Sequence, residues 1–276
     1  MLAPAKINLF LHVGPVDARR YHPVRSLIAF ADMGDEVIYE ALQSEPLIIA
    51  GPFSHGLSNG SDNLILKAVH LFCQVTGVSF RGGFKLIKNL PIASGLGGGS
   101  SDAGAALRLM RTHFAPDLSD EALARIAQAI GADGVMCLWA RPCLATGYGE
   151  LIEAVELEPM ACVLINPMIE CSTAKVYGGF DSSAVVKALG DETPPYNLAL
   201  IAAQRNDLQD PAIELVPEIG QILTRLSNEP ECQLARMSGS GATCFALCAS
   251  LDQAHKLAAK MRPFYSQAWV VTTMLG

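Results

Sequence analysis

Apolar positions alternate from the start of the chain. Ile7, Leu9, Leu11 and Val13 fall on one side of an extended segment, with Lys6, Asn8, Phe10 and His12 on the other. A period of two predicts a half-buried strand with a polar row on its second face. Two further apolar segments, Ser26 to Ala31 and Glu36 to Glu40, flank Asp32-Met33-Gly34-Asp35, which has the composition of a turn. A loop rich in Gly, Ser and Asn is expected from Gly51 to Asp62. A helix follows from Asn63 to Val75, with Leu64, Ala68, Leu71 and Phe72 on one side, and then a strand from Phe80 to Leu86. Helical spacing is cleanest from Ser119 to Ile130. There Ser119 caps, Asp120 and Glu121 suit the positive first turn, and Leu123, Ile126, Ala127 and Ile130 form the stripe before Gly131.

Arg141-Pro142 and Gly147-Tyr148-Gly149 punctuate the next region, and Ala161 to Asn166 opens a second α/β unit. The chain therefore divides into two domains, residues 1–155 and 156–276. In the second, Ile219, Ile222, Leu223 and Leu226 mark one helix, and Asp252 caps another that carries Ala254, Leu257, Ala258 and Met261. Strands over 243–248 and 267–273 bracket that last helix. The expected fold class is α+β, with mixed α/β layers and no internal repeat.

Composition narrows the partners. Of 276 residues, 50% are hydrophobic and 17% charged, which excludes a mainly disordered chain. Lys and Arg number 20 against 27 Asp and Glu, a net charge of −7, and no basic cluster occurs. A nucleic-acid coat or an anchor on an acidic membrane is thereby excluded, and a small-molecule partner is expected. No stretch reaches the roughly 18 consecutive apolar residues that a spanning helix needs. Lys6, Asn8 and His12 interrupt the apolar start, so it reads as mature structure, and a cytoplasmic, bacterial setting is the expectation. The eight cysteines lack any C-x-x-C pair and sit among apolar neighbours, as buried thiols of a reducing compartment do.

The strongest chemical signal is Pro91-Ile92-Ala93-Ser94-Gly95-Leu96-Gly97-Gly98-Gly99-Ser100-Ser101-Asp102, followed by the helix-forming Ala103 to Leu107. Its glycines let backbone N–H groups turn toward one point, and a helix N-terminus behind them adds partial positive charge. Such a loop can cradle phosphate. It is neither a Walker loop, since no G-x-x-x-x-G-K-[ST] occurs, nor a dinucleotide fingerprint, since Ser100 stands at the third glycine. A second small-residue turn, Ser238-Gly239-Ser240-Gly241, serves equally as a strand connection or as an opposite jaw on a polyphosphate. Asp133, in Gly131-Ala132-Asp133-Gly134, is a turn former or a catalytic carboxylate. Lys6 is a solvated charge or its partner, and Tyr21-His22 a surface pair or a stacking and hydrogen-bonding pair for a base.

Ala3 to Leu9, Pro91 to Asp102 and Ser238 to Gly241 together resemble, in order and spacing, the three motifs of the galactokinase, homoserine kinase, mevalonate kinase and phosphomevalonate kinase superfamily. Further segments carry the likeness to one branch: Tyr21-His22, Gly34-Asp35, Asp62 to Ile65, Gly131 to Asp133, Ala145 to Glu150, Asn206 to Leu208 and Met237 to Phe245. That branch phosphorylates the tertiary C2 hydroxyl of a cytidine-diphosphate-linked methylerythritol on the non-mevalonate route to isoprenoid precursors. The resemblance implies an N-terminal domain like ribosomal protein S5 domain 2, a ferredoxin-like C-terminal domain, and ATP as phosphoryl donor.

It also implies the roles of individual residues. Asp133 would be the catalytic carboxylate and Lys6 its cationic partner. Pro91, Ser94, Gly95, Leu96, Gly97, Gly98, Gly99, Ser100, Ser101 and Asp102 would hold the ATP phosphates, with Asn63 and Lys88 near the adenosine. Asn8, Tyr21, His22, Tyr177 and the turn Ser238, Gly239, Ser240, Gly241 would bind the substrate. Magnesium would accompany the nucleotide, with no protein ligand assigned to it. Relatives acting on another alcohol, of homoserine or mevalonate type, or binding nucleotide without catalysis, are the alternatives. Tyr21-His22 speak against the first, and Lys6 with Asp133 against the second. The branch has Gly before Tyr-His and Val-Pro after Gly-Ala-Asp where this chain has Arg20 and Gly134-Val135. Arg20 is expected either to restrict its turn or to face the diphosphate, and Gly134 to loosen the backbone beside Asp133.

Overall fold

The first strand, β1 (Leu2–Val13), is buried on both faces from Ala3 onward. Its polar row is therefore internal: Lys6 is 6%, Asn8 5% and His12 0% exposed in the computed structural model, which describes residues 1–182 and 188–276. Buried polar groups need partners, so this row directs where the polar contacts of the molecule lie.

Strand β2 (Val24–Glu40) pairs with β1 and runs unbroken through Asp32-Met33-Gly34-Asp35, the segment with turn composition. The correction has a steric cause. A Cβ on Gly34 would lie 2.1 Å from the Ala3 carbonyl oxygen, so the glycine serves a close approach of two strands instead of a reversal. Next come β3 (Leu47–Ala50), α1 (Leu64–Thr76), β4 (Gly83–Ile87), α2 (Gly98–Phe114), α3 (Asp120–Ile130) and α4 (Gly134–Trp139). The chain continues with β5 (Cys143–Thr146), β6 (Leu151–Ala154), β7 (Met160–Asn166), α5 (Thr173–Ser182), α6 (Leu198–Ala203) and α7 (Gln209–Leu215). It closes with α8 (Pro217–Ser227), β8 (Cys232–Met237), β9 (Cys244–Cys248), α9 (Leu251–Met261) and β10 (Trp269–Leu275).

These elements form two compact units. The first comprises residues 1–6, 33–92 and 97–141, and the second 7–32, 93–96 and 142–276. Both long strands give residues to each unit. Composition, which places a single boundary near 155, has no means of detecting a strand that serves two units.

In the first unit, β4 lies between β3, in parallel register Leu47↔Phe84, and β2, in antiparallel register Val37↔Leu86. Phe72, Phe84, Leu107, Met110, Leu123, Ile126 and Leu138 share one core. Helix α3 forms where its stripe predicts, and the Ser119 hydroxyl accepts from the Ala122 N–H at 3.2 Å. In the second unit, β7 pairs antiparallel with β10 (Val271↔Leu164) and β9 (Val163↔Ala246), and β9 with β8. The apolar stripes of α8 and α9 are buried as their spacing requires. The cap of α9 is Ser250, whose hydroxyl accepts from the Gln253 N–H. Asp252 instead sits in the first turn, where its charge faces the positive helix end.

All eight cysteines are free thiols, and only Cys73 and Cys232 are partly exposed. Burial pushes Cys232 up to about 11 and Cys248 up to about 12, so these thiols are poor nucleophiles. Among the described residues, no helix is long and apolar enough to cross a membrane.

Replacing Gly34 with Ala should destabilise the protein by about 2 kcal/mol, because backbone must move to admit the methyl group. Gly178→Ala, in the exposed middle of α5 with nothing within 4 Å of the new Cβ, should stabilise by about 0.5–1 kcal/mol. Urea denaturation of both variants checks the pair of signs.

Candidate active site

Helix α3 stops at Gly131, a tight turn closes as the Gly134 N–H donates to the Gly131 carbonyl, and α4 starts at once with Asp133 as its N-cap residue. The apolar run after Asp133 is thus a short helix. A Cβ on Gly134 would lie 1.9 Å from the Ala127 carbonyl oxygen. Gly134 therefore pins α4 against the last turn of α3, the opposite of the loosening its composition suggests. The Asp133 carboxylate does not cap α4. Its Oδ2 lies 3.4 Å from Lys6 Nζ on β1. The lysine side chain is 7% and the aspartate 37% exposed, so the pair has a sheltered cation and an approachable carboxylate.

The glycine-rich segment resolves into a left-handed N-cap, Gly97 with φ +64°, and a helix that begins at Gly98, earlier than the Ala103 start that composition marks. The Ser101 N–H donates to the Gly97 carbonyl at 2.9 Å, so the N–H groups before it have no acceptor within the helix. They can converge on an anion. A Cβ on Gly97 would lie 3.0 Å from Lys6 Cε. The start of α2, Lys6 and Asp133 consequently occupy one place in the first unit.

Ser101 and Asp102 do not face that place. Helical periodicity turns them inward, where the Ser101 hydroxyl donates to the Pro4 carbonyl at 2.8 Å and Asp102 is 4% exposed. Lys88, expected near the adenosine, is also buried. Its Nζ donates to Asp102 Oδ2 at 2.7 Å and to Asp35 Oδ2, and a Cβ on Gly98 would lie 3.0 Å from it. A lysine 3% exposed requires such counter-charges. Asp35 Oδ1 accepts from the Asn89 and Leu90 N–H groups at 2.6 and 2.8 Å, whereas Asp102 Oδ1 is buried with no hydrogen-bond partner among the described residues. Burial opposes the Lys88 charge, yet Asp102 and Asp35 hold its pKa above the usual value. Burial, with the Asp35 charge adding and Lys88 opposing, pushes the Asp102 carboxyl up to about 7. Asn63 caps α1: its side chain accepts from the Ile65 N–H at 3.0 Å and donates to the Ser58 carbonyl.

In the second unit, the small-residue turn is fastened to Ser94-Gly95. Thr243 Oγ1 donates to the Ser94 carbonyl at 2.6 Å, and the Ser238 hydroxyl donates to the Gly95 carbonyl at 3.1 Å while accepting from the Asn8 N–H. Asn206 Nδ2 donates to the Met237 and Gly239 carbonyls at 2.8 Å each. Ser238, Gly239 and Gly241 are buried, and only Ser240 is partly exposed, beside Thr173 Oγ1 at 2.8 Å. Close packing of backbone on backbone therefore accounts for the small residues. Pro91 and Leu96 are buried flanks of the first loop.

The second unit also brings His22 and Tyr177 together, with ring centroids 5.1 Å apart. His22 Nδ1 lies 2.9 Å from the Gly14 carbonyl, so Nδ1 carries the proton, and Nε2 lies 3.4 Å from Asp181 Oδ1. Tyr21 is 65% exposed and lies beside Tyr148, with centroids 5.8 Å apart. The Asn8 side chain donates to the Ser26 hydroxyl at 2.8 Å. Sequence reasoning passed over Asp17 and Asp181, and it quoted Asp35 and Tyr148 within matched segments without giving them a role. The one local signal was an acid or aromatic beside a glycine turn, which many surface loops share.

Models of the GHMP kinases N terminal domain and GHMP kinases C terminal match residues 63–141 and 185–267. The 4-diphosphocytidyl-2-C-methyl-D-erythritol kinase of Caulobacter sp. (strain K31) is 46% identical over 99% of this chain and 97% of its own length. That of Caulobacter vibrioides (strain NA1000 / CB15N) is 45% identical over 97% and 96%. A crystal structure of 4-(cytidine 5'-diphospho)-2C-methyl-D-erythritol kinase superposes with a TM-score of 0.81 at 30% identity, covering 100% of this chain and 98% of that one.

The raised Asp102 pKa makes stability depend on pH with a definite sign. The folded protein holds the Asp102 proton more tightly than the unfolded chain does. That contribution is complete below the ordinary value of 3.8 and is lost as pH rises through about 7. Asp102→Asn lacks it. The melting temperature of the parent minus that of the variant should therefore fall by several degrees from about pH 5 to about pH 8, and a constant difference would refute the assignment.

Proposed function

The chain belongs to the GHMP kinases and, within them, to the 4-diphosphocytidyl-2-C-methyl-D-erythritol kinases, and from that membership we propose its reaction. It transfers the γ-phosphoryl group of ATP to the C2 hydroxyl of 4-diphosphocytidyl-2-C-methyl-D-erythritol, giving the 2-phosphate and ADP on the non-mevalonate route to isoprenoid precursors. The observation that carries the reading is the Lys6–Asp133 pair at 3.4 Å beside the start of α2.

A tertiary alcohol is a far weaker acid than a carboxylic acid, so Asp133 does not strip its proton before attack. Phosphoryl transfer is loose and largely dissociative, and the proton leaves late, when an oriented carboxylate is sufficient. Lys6 stabilises charge building at the attacking oxygen. The N–H groups of Gly98, Gly99 and Ser100, with the dipole of α2 behind them, hold the phosphates. Pro91, Ser94, Gly95, Leu96 and Gly97 shape the approach to them. Lys88, Asp35, Ser101 and Asp102 brace the helix start from inside, and Asn63 fixes α1. Among the described residues, no group of three or more His, Cys, Asp or Glu side chains is placed to hold a metal ion. Magnesium, when bound, would accompany the nucleotide and neutralise phosphate charge.

Asn8 contacts the methylerythritol part, His22 the cytosine edge, and Tyr21 and Tyr177 the ring. Residues 1–155 then carry the nucleotide and most substrate contacts, and residues 156–276, the C-terminal kinase domain, add Tyr177. A cytoplasmic location in a bacterium belongs to the same reading, supported by relatives that are bacterial.

ADP release with MgATP tests the reading. Turnover is expected with the cytidylated alcohol and not with homoserine, mevalonate or methylerythritol phosphate lacking cytidine. Silence with the first substrate from folded protein would overturn it. Asp133→Asn should lower kcat by about 100-fold or more at unchanged melting temperature, and near-normal turnover would remove Asp133 from its role.

A further inference from the structure

The segment that presents Tyr21 and His22 is held in an unfavourable shape. Arg20 has φ +63°, a region that L-residues with side chains seldom adopt and that glycine enters freely. Something must over-determine that conformation for it to persist. Asp17 is at its centre. Its Oδ1 accepts from the Arg19 N–H at 2.9 Å and the Tyr21 N–H at 3.2 Å. Its own N–H donates to the Tyr21 carbonyl, and its carbonyl accepts from the Arg20 N–H, both at 2.9 Å.

The remaining oxygen, Asp17 Oδ2, accepts a hydrogen bond from the Tyr148 hydroxyl. Tyr148 stands in the glycine turn after β5, and that turn is anchored in its own right: the Val24 N–H donates to the Gly147 carbonyl at 2.7 Å. The Tyr148 ring also meets Tyr21 at 5.8 Å and carries the Arg19 guanidinium at 5.9 Å from its centroid. One aromatic side chain thus contacts three of the five residues of the turn and ties them to the β5–β6 connection. The shared hydrogen bond holds the Asp17 carboxyl below the usual carboxylate range and pushes the Tyr148 phenol up, so donor and acceptor roles are fixed at neutral pH.

We infer that Tyr148 is a positioning residue for substrate recognition: its hydroxyl, through Asp17, holds the Arg20 turn in the shape that presents Tyr21 and His22 to the pyrimidine base. The inference rests on the assignment of Tyr21 and His22 to that base under the proposed function. Tyr148 itself makes no claim on the reacting atoms. Loss of its hydroxyl leaves Asp17 Oδ2 without this donor, and the turn relaxes away from the positive φ of Arg20. Binding of the base then bears the cost of re-forming it, which appears in KM and not in kcat.

Tyr148→Phe keeps the ring and removes the hydroxyl. It is expected to raise KM for the cytidylated alcohol about tenfold, with kcat and KM for ATP within about twofold of the parent. Arg20→Gly in the same chain removes the strain and should restore KM, a rescue that a general loss of packing would not show. An unchanged KM in Tyr148→Phe, or an equal loss in kcat and both KM values, overturns the inference. Trypsin supplies a readout without substrate, since Arg19 and Arg20 are its cleavage sites within the turn. Nicking there should be several-fold faster in Tyr148→Phe than in the parent, and equal rates would also overturn the inference. A parent enzyme silent with the cytidylated alcohol would sink the proposed function alone, because the nicking comparison would still judge the turn.

Discussion

A strand with both faces buried that nevertheless carries polar side chains sets the terms for the rest of this molecule. Water is excluded from β1, so each polar group on it must find a partner inside the protein or lose several kcal/mol of hydration. Lys6 is met by Asp133, and Asn8 by Ser26 and Ser238. His12 stacks on Phe10 and its Nδ1 accepts from the Gly190 N–H, whereas its Nε2 is buried with no hydrogen-bond partner among the described residues, and burial keeps its pKa below the usual histidine value. The partners come from distant parts of the sequence. Satisfying one strand therefore fixes where an N-cap, a turn and a loop must arrive, and the candidate chemistry is a by-product of that requirement at Lys6.

Periodicity located elements better than it located their buried faces: the alternation of β1 predicts a half-buried strand that is buried on both faces, and α1 buries Ile65 and Val69 where the stripe names Leu64 and Leu71. The stripes of α3, α8 and α9 name their buried residues correctly, because a 3.6-residue period needs only local information. Elements whose evidence is compositional misled. Asp32 to Asp35 have turn residues but lie in a strand, since Gly34 answers to the Ala3 backbone and Asp35 to Lys88, Asn89 and Leu90. The second small-residue turn is open in sequence between a strand connection and a ligand loop, and what composition does not show is that Ser238 and Thr243 fasten it to the Ser94-Gly95 backbone. In each case a residue type was read for what it does alone, while its neighbour in space decided its use.

The candidate site divides along the same line. Lys6, Asp133 and the glycine loop were named from sequence, the first two only through family resemblance, because nothing in a lone lysine or a turn aspartate announces chemistry. Lys88 and Asp102, expected at the nucleotide, form one buried charged cluster with Asp35. No pattern along the chain marks such a cluster. A buried ion pair is a property of three segments meeting, and its members, 53 and 14 residues apart, share no motif.

The path of the chain through its two units bears on how the protein is made. The last residue of the first unit is Arg141, so everything that unit packs is made before residues 142–276, which belong to the second. The second unit waits. Its strand β7 pairs along seven residues with β10, and β10 also reaches Ala31 of β2 through Leu275, next to the final residue. Strand β2, which can pair with β1 and β5 much sooner, therefore meets β10 only after the rest of the second unit has been made. Contacts of such long sequence separation form slowly and leave strand edges open to other chains in the interval. A nascent chain of this topology is most exposed to aggregation along the strand edges that wait for β10.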